Sequence, residues 1–319
     1  MRVYYKIEEP ETYSESYLQY KGLPLLVQQM VNHLRGIGLT IRMLLMAYML
    51  FDYRKYKYYA LAWLAIEFLG IGLFGIGART ALFVLVLSFV ITYDLAVRRL
   101  SIAKLALVSV TVLFLFIGLG IVRWMGSSSP DVQASILTSN NEFDGVFANA
   151  YDVRELAAAG DTKEIFPRLY FVDFTNLVPQ QLLPFQKIDL EAWYVGTFYS
   201  DLDAIGGGYA FGVIPEAIVG LGRFDILWRG ALLGWIFALL QKHLLTNRKS
   251  FWSYGFYLWT MVLSFHTIRT STFALLPRAF FQFLTVFVTV KVASSLFGMR
   301  RRPRPGITPM RALGIDGAS

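Results

Sequence analysis

The residues best equipped for chemistry are cations set close to apolar runs. Arg79 ends the stretch Gly75-Ile76-Gly77-Ala78-Arg79, a tight turn leading into a helix N-terminus, where backbone N–H groups and a guanidinium can converge on an anion. Arg269 and Arg278 flank Thr270-Ser271-Thr272 in a short turn between two apolar runs, with His266 just ahead of them. Arg123, Arg154, Arg168, Arg223 and Lys187 complete the set on the same side of the chain's expected topology. Arginines held near a membrane surface suit a phosphate-bearing lipid, because the guanidinium fork binds phosphate through paired, permanently charged hydrogen bonds. Glu216 lies in a glycine-rich stretch, and Arg42 and Glu67 lie inside apolar runs. Ionisable groups in such places usually face a bundle interior and a partner or water. For Arg42 and Glu67 the simplest expectation is an ion pair that fixes helix packing. The absence of cysteine excludes disulfides and thiol chemistry, and three histidines, His33, His243 and His266, make a histidine metal cluster improbable.

The elements that must position these residues are set by composition. Of 319 residues, 55% are hydrophobic and 16% charged, and mean hydropathy is +0.48. Soluble domains carry roughly 25% charged residues, so a soluble two-domain enzyme is excluded in favour of an all-α polytopic membrane protein. Apolar runs fall at 36–51, 58–77, 80–97, 103–122, 226–241, 252–267 and 274–298, against the ~20 helical residues needed to cross a bilayer core. Pro277 falls in the first turn of the last run, where its missing N–H costs little.

The net charge of +8 is distributed by topology. Residues 125–205 hold twelve acids and only four bases, Arg154, Lys163, Arg168 and Lys187. The other positives cluster between apolar runs, as in Arg54, Lys55 and Lys57, or Arg98, Arg99 and Lys104, and the positive-inside rule places those turns in the cytoplasm. The basic balance therefore reports topology, and no nucleic acid is expected as a partner. The expected organisation is an extracytoplasmic segment 1–35, spans one to four over 36–124, a large acidic periplasmic loop 125–205, a re-entrant or interfacial glycine-rich segment 206–224, spans five to seven over 225–298, and a basic cytoplasmic tail 299–319. The segment 206–224 is assigned as non-spanning because Gly206, Gly207, Gly208, Gly212, Pro215, Gly220 and Gly222 make a poor helix. No signal peptide opens the chain, and an outside N-terminus without one suggests that preceding helices are missing.

The order of motifs resembles that of the oligosaccharide repeat-unit polymerases, the Wzy-type O-antigen and exopolysaccharide polymerases. Gly77-Ala78-Arg79 precedes a long span; Asn141-Glu142-Phe143-Asp144 lies in the outer loop; Val178-Pro179-Gln180-Gln181 runs on to Lys187; and Gly206-Gly207-Gly208, Pro215-Glu216 and Gly220-Leu221-Gly222 follow. The likeness covers about residues 60–290 and is densest over 140–240. Two features depart from it: relatives usually have more spans, and Pro179-Gln180 stands where Pro-Arg is common. The resemblance implies a bundle like that of the membrane-embedded C-type glycosyltransferases, acting on undecaprenyl-diphosphate-linked glycans at the periplasmic face of the bacterial inner membrane. It implies no metal, no cofactor, and a chain-length regulator as a partner besides membrane lipids. The growing glycan would leave its diphosphate for the hydroxyl of a new repeat unit.

For that reaction Arg79 and Arg269 are the expected electrophilic clamp, with Arg278, Lys187, Arg168 and Arg223 as further substrate-binding cations. Glu216 is the first candidate general base, followed by Glu142 and His266. Trp193 and Tyr194 are candidate sugar-stacking rings. An O-antigen ligase shares the scaffold and carrier; Pro215-Glu216 favours the polymerase. A transporter or flippase is disfavoured by the missing inverted repeat of broken helices.

Overall fold

The computed structural model describes residues 22–51, 53–74, 79–125, 142–160, 162, 165–200, 210–247 and 250–297. The N-terminal stretch before residue 22, the turn 75–78, Asn141, the glycines at 206–208 and the basic tail lie outside the described residues. Among those described, every regular element is helical.

Every apolar run meets a helix. They are α1 (Leu25–Phe51), α2 (Tyr53–Phe74), α3 (Arg79–Thr92, extended by a π-helical turn Tyr93–Val97) and α4 (Ile102–Met125). The loop that follows contributes α5 (Glu142–Ala159), α6 (Leu190–Phe198) and α7 (Val213–Val219). The last group is α8 (Arg223–Thr246), α9 (Phe251–Leu263), α10 (Phe265–Arg269) and α11 (Leu275–Leu296).

Helices α8 and α11 are long and apolar enough to cross a membrane, and only 11% of the most apolar window in each is buried by the rest of the chain. The polarity of α8 is inverted relative to a soluble helix. In α8 the buried side chains include Asp225 and Arg229, while Leu227, Trp235 and Leu239 point outward. An outward apolar face with charges inside is stable only against an apolar solvent, which is what a bilayer supplies.

The bundle core is formed by α1, α3, α9 and α11. Met43, Leu44, Val84, Leu258, Trp259 and Phe283 pack there, and the Trp259 indole donates to Thr40 Oγ1 at 3.0 Å. Gly255 lets α9 approach α1 closely: a Cβ there would stand 2.7 Å from a Leu44 methyl. Arg42 and Glu67 do pair, at 3.2 Å, joining α1 to α2.

Three boundaries differ from expectation. α1 begins at Leu25 and has 27 residues, about 40 Å, so residue 35 is no structural boundary; polar Gln28, Gln29 and Asn32 alternate with apolar neighbours in its first turns and hid it from a hydropathy count. The run 252–267 is broken at Ser264, whose Oγ bonds back to Met261 O at 2.7 Å, a contact that bends helices. The run 274–298 starts with Pro277 in its first turn as expected and then widens into a π-helical stretch, Ala279–Leu284. α7 has only seven residues, about 10 Å and too short to cross a bilayer core.

The described residues between 142 and 219 form a helical cap with its own core. Val153, Ile165, Leu169, Leu190, Tyr194 and Phe211 meet there, and α7 packs along α5. The cap sits on the ends of α8, α10 and α11.

Candidate functional site

The site is built where the cap meets the turn 270–274. Gly212 fastens the two. Its N–H donates to Thr270 O at 3.2 Å, its φ is +89°, and a Cβ there would overlap the Ile268 carbonyl oxygen. Glycine is required twice over, by conformation and by space. We expect Gly212→Ala to destabilise the protein by about 1–3 kcal/mol through backbone strain at a fixed turn. Thermal unfolding in detergent measures this, and an unchanged midpoint would mean that the cap is not fastened at this point.

Behind that turn lies a buried charge network. Arg229, on the second turn of α8, is 1% exposed. Its Nη1 is 2.9 Å from Glu216 Oε1 and its Nε is 3.1 Å from Asp225 Oδ2; Nη1 also donates to Thr272 Oγ1. The Thr272 N–H and hydroxyl both donate to Glu216 Oε2 at 2.8 Å. Asp225 accepts from the Tyr170 hydroxyl at 3.0 Å and from the Trp228 indole. The Tyr170 and Trp228 rings lie 5.0 and 5.3 Å from the guanidinium carbon. Two carboxylates around one guanidinium, roofed by aromatic rings, make a rigid anchor for the turn 270–274.

A parallel anchor holds the same turn from the cap. Asp173 accepts from Ser271 Oγ at 2.7 Å and from the Phe273 N–H at 3.1 Å. Burial pushes its carboxyl above the usual range, opposed by those hydrogen bonds and by Arg229 and Arg278.

The open part of the site centres on Glu191, a residue that sequence reasoning did not single out. Asp189 caps α6 by accepting from the Glu191 and Ala192 N–H groups at 3.0 and 3.1 Å, which fixes Glu191 in the first helical turn. Its side chain keeps accessible surface, yet protein crowds the carboxyl enough to desolvate it. Burial raises its pKa, as does Asp189; the Thr270 hydroxyl, Arg269 and Arg278 pull the other way. Arg269 and Arg278 thus both act on one solvent-reachable carboxyl, and His266 feels both guanidiniums.

The sequence-derived candidates fall into three groups. Arg269 and Arg278 lie close enough to Glu191 and His266 to act on the charge of both. Arg79 opens α3, and one turn later on the same helix face Phe83 packs on Phe265 with centroids 5.4 Å apart; the Arg79 side chain lies outside the description, as does that of Glu142 at the start of α5. The others stand apart. Arg168 is exposed on the cap, Arg223 is exposed at the start of α8, and Lys187, its amine pushed down by burial, sits on a loop closed by Gln180. Gln180 accepts from the Lys187 N–H at 3.1 Å and donates to Phe185 O at 2.8 Å, so it shapes the loop where an arginine was expected.

Two assignments need correction. Glu216 is 1% exposed and both of its oxygens are engaged; a general base needs a free lone pair facing a solute, so Glu216 is a positioning group. Tyr194 is fully buried in the cap core, its hydroxyl 2.6 Å from Asp152 Oδ2 and 2.8 Å from Asn149 Oδ1. It cannot stack on a sugar. Trp193 is half-buried with its ring edge-on to Phe211 at 5.9 Å. Among the described residues no group of three or more histidine or carboxylate side chains is arranged to hold a metal ion.

Fold and site together define a helical protein with membrane-compatible spans and a grouping of Arg269, Arg278, His266 and Glu191 where the cap meets the last helices. Comparisons with protein-family models, curated proteins and solved structures give no match.

Proposed function

We propose that the chain is a multi-pass enzyme of the bacterial inner membrane that polymerises undecaprenyl-diphosphate-linked oligosaccharide repeat units at its periplasmic face. The observation that supports this reading is the grouping of Arg269 and Arg278 near the solvent-reachable Glu191 carboxyl at the cap end of the last helices. Two guanidiniums match a leaving diphosphate, and a desolvated carboxyl beside them matches an acceptor hydroxyl.

In this reading Glu191 takes the proton of the acceptor hydroxyl as its oxygen attacks the anomeric carbon of the growing glycan. A glycosidic bond forms, the bond from that carbon to the diphosphate oxygen breaks, and the carrier diphosphate departs against Arg269 and Arg278. The arginines carry the charge that a metal ion could otherwise carry. Glu216 and Arg229 hold the turn that bears Arg269 in place.

Glu191→Gln keeps the volume and removes the base, so chain extension should fall ~10²-fold or more. Because burial raises the Glu191 pKa, loss of activity on acidification should begin above the ordinary carboxylate range in the parent protein and be absent from the residual rate of the variant. Glycan ladders from membranes containing lipid-linked repeats provide the readout. Normal ladders from Glu191→Gln would remove this residue from the reaction.

A further inference from the structure

One surface of the cap does not suit an extramembrane domain. Phe166, Phe171, Phe174, Val178, Leu182 and Phe185 are all exposed, Phe171 by 60% and Leu182 by 72%. The inward residues of the same stretch, Ile165, Leu169 and Val172, already fill the cap core, so these six are surplus to it. Single exposed apolar side chains are ordinary; six within twenty residues of a loop mark an interaction surface.

Charge narrows the kind of partner. Although residues 125–205 are strongly acidic, this stretch carries two of their four bases, Arg168 and Lys187. Its one acid, Asp173, is turned inward onto Ser271 and Phe273. The outward face is therefore apolar with a cationic rim, the pattern of a segment lying at an anionic lipid surface.

Position narrows it further. The helical turn Val172–Thr175 packs on Leu275–Arg278, the first turn of α11, and the Phe174 and Phe273 rings meet with centroids 5.5 Å apart. α11 is a span by length and composition, so its first turn marks the depth where acyl chains meet headgroups. The exposed face continues the apolar exterior of that helix outward. Within it lies a recess of about 420 Å³ lined by Arg168, Phe171, Val172, Thr175, Phe185 and Ile188, with Gln186 at its edge. Arg168 is the one charged residue in that lining.

We propose that residues 166–188 are seated in the bilayer leaflet on the cap side, the recess admitting the end of a lipid chain and Arg168 reaching a lipid phosphate. The seat brings the cap down onto the membrane on the side of the chain that carries Glu191. It requires a membrane but not a polymerase, so it stands or falls separately from the function proposed above.

The chain has no cysteine, so single cysteines report without background. With the full-length protein in nanodiscs containing phosphatidylglycerol, nitroxides at Phe171→Cys and Leu182→Cys should collide more with oxygen, which partitions into lipid, than with a water-soluble nickel chelate. Tyr151→Cys, on the exposed face of α5, should show the reverse order. Adding Arg168→Gln should move the label at Leu182→Cys severalfold toward the chelate in nanodiscs of phosphatidylglycerol and also in those of phosphatidylcholine, since both lipids carry the phosphate. Unfolding midpoints matched to the parent establish that each variant is folded, and Leu182, the more exposed position, tolerates a label even where Phe171 does not. Water-like accessibility at position 182 in a folded variant would overturn the seat and leave the face to a protein partner. An Arg168→Gln effect confined to the anionic lipid, or absent from both, would overturn the phosphate contact.

Discussion

Replacing Arg229 by methionine is expected to destabilise the protein by about 3–5 kcal/mol, the cost typical of breaking a buried ion pair from one side. The size follows from what is left behind. Glu216 and Asp225 are each 1% exposed or less, and without Arg229 both must be neutralised or hydrated in a space built to exclude water. Methionine fills the volume against the Tyr170 and Trp228 rings, so a packing defect does not explain the loss. Total stabilities are about 5–15 kcal/mol, so the variant should lose its cooperative transition or show a sharply lower midpoint in detergent. A triple variant, Arg229→Met with Glu216→Gln and Asp225→Asn, should recover much of the loss, because the penalty belongs to stranded charges rather than to the missing cation. A single variant that melts like the parent would mean that the network does not anchor the turn 270–274.

That network shows where sequence reasoning succeeded and where it stopped. Helices were legible because a run of about 20 apolar residues has few alternatives, and α8 and α11 follow their runs closely. Arg229 was overlooked although it lies inside the run 226–241, and its i,i+4 spacing from Asp225 was available as a signal. Glu216 was found but misjudged, since a glycine-rich context suggests a wet cavity while its partner, Thr272, is 56 residues away. Glu191 and Asp173 could not be separated from the other acids of the loop. What distinguishes them is contact with Thr270, Ser271 and Phe273, set by how the cap folds back over roughly a hundred residues. The pairing of Arg42 with Glu67 was legible for the opposite reason: two lone opposite charges in adjacent helices have few other partners.

The arginines near Glu191 can be tested in a way that separates a clamp from an anchor. Arg269→Lys and Arg278→Lys are each expected to reduce chain extension ~10²–10³-fold, close to the loss from the corresponding Ala variants. Lysine keeps the positive charge but replaces a planar fork of donors with a single point, and a leaving diphosphate in mid-transfer develops charge on several oxygens at once. A residue that only touches headgroups behaves differently, because a lysine stem snorkels to the surface as well as an arginine does. Arg223 serves as the control: it is exposed at the start of α8, and Arg223→Lys should leave ladders unchanged. Arg269 and Arg278 also hold down the pKa of Glu191; lysine keeps that charge, so the Lys variants should lower the plateau and leave the acidic limb near its parent position, whereas the Ala variants should also move the limb to higher pH. The measurement is ladder length from lipid-linked repeats at matched protein levels. Full ladders from both Lys variants would refute the clamp and with it the polymerase reading, whereas short ladders from the Lys variants, with an acidic limb moved to higher pH only in the Ala variants, tie both guanidiniums and the Glu191 carboxyl to one reacting centre.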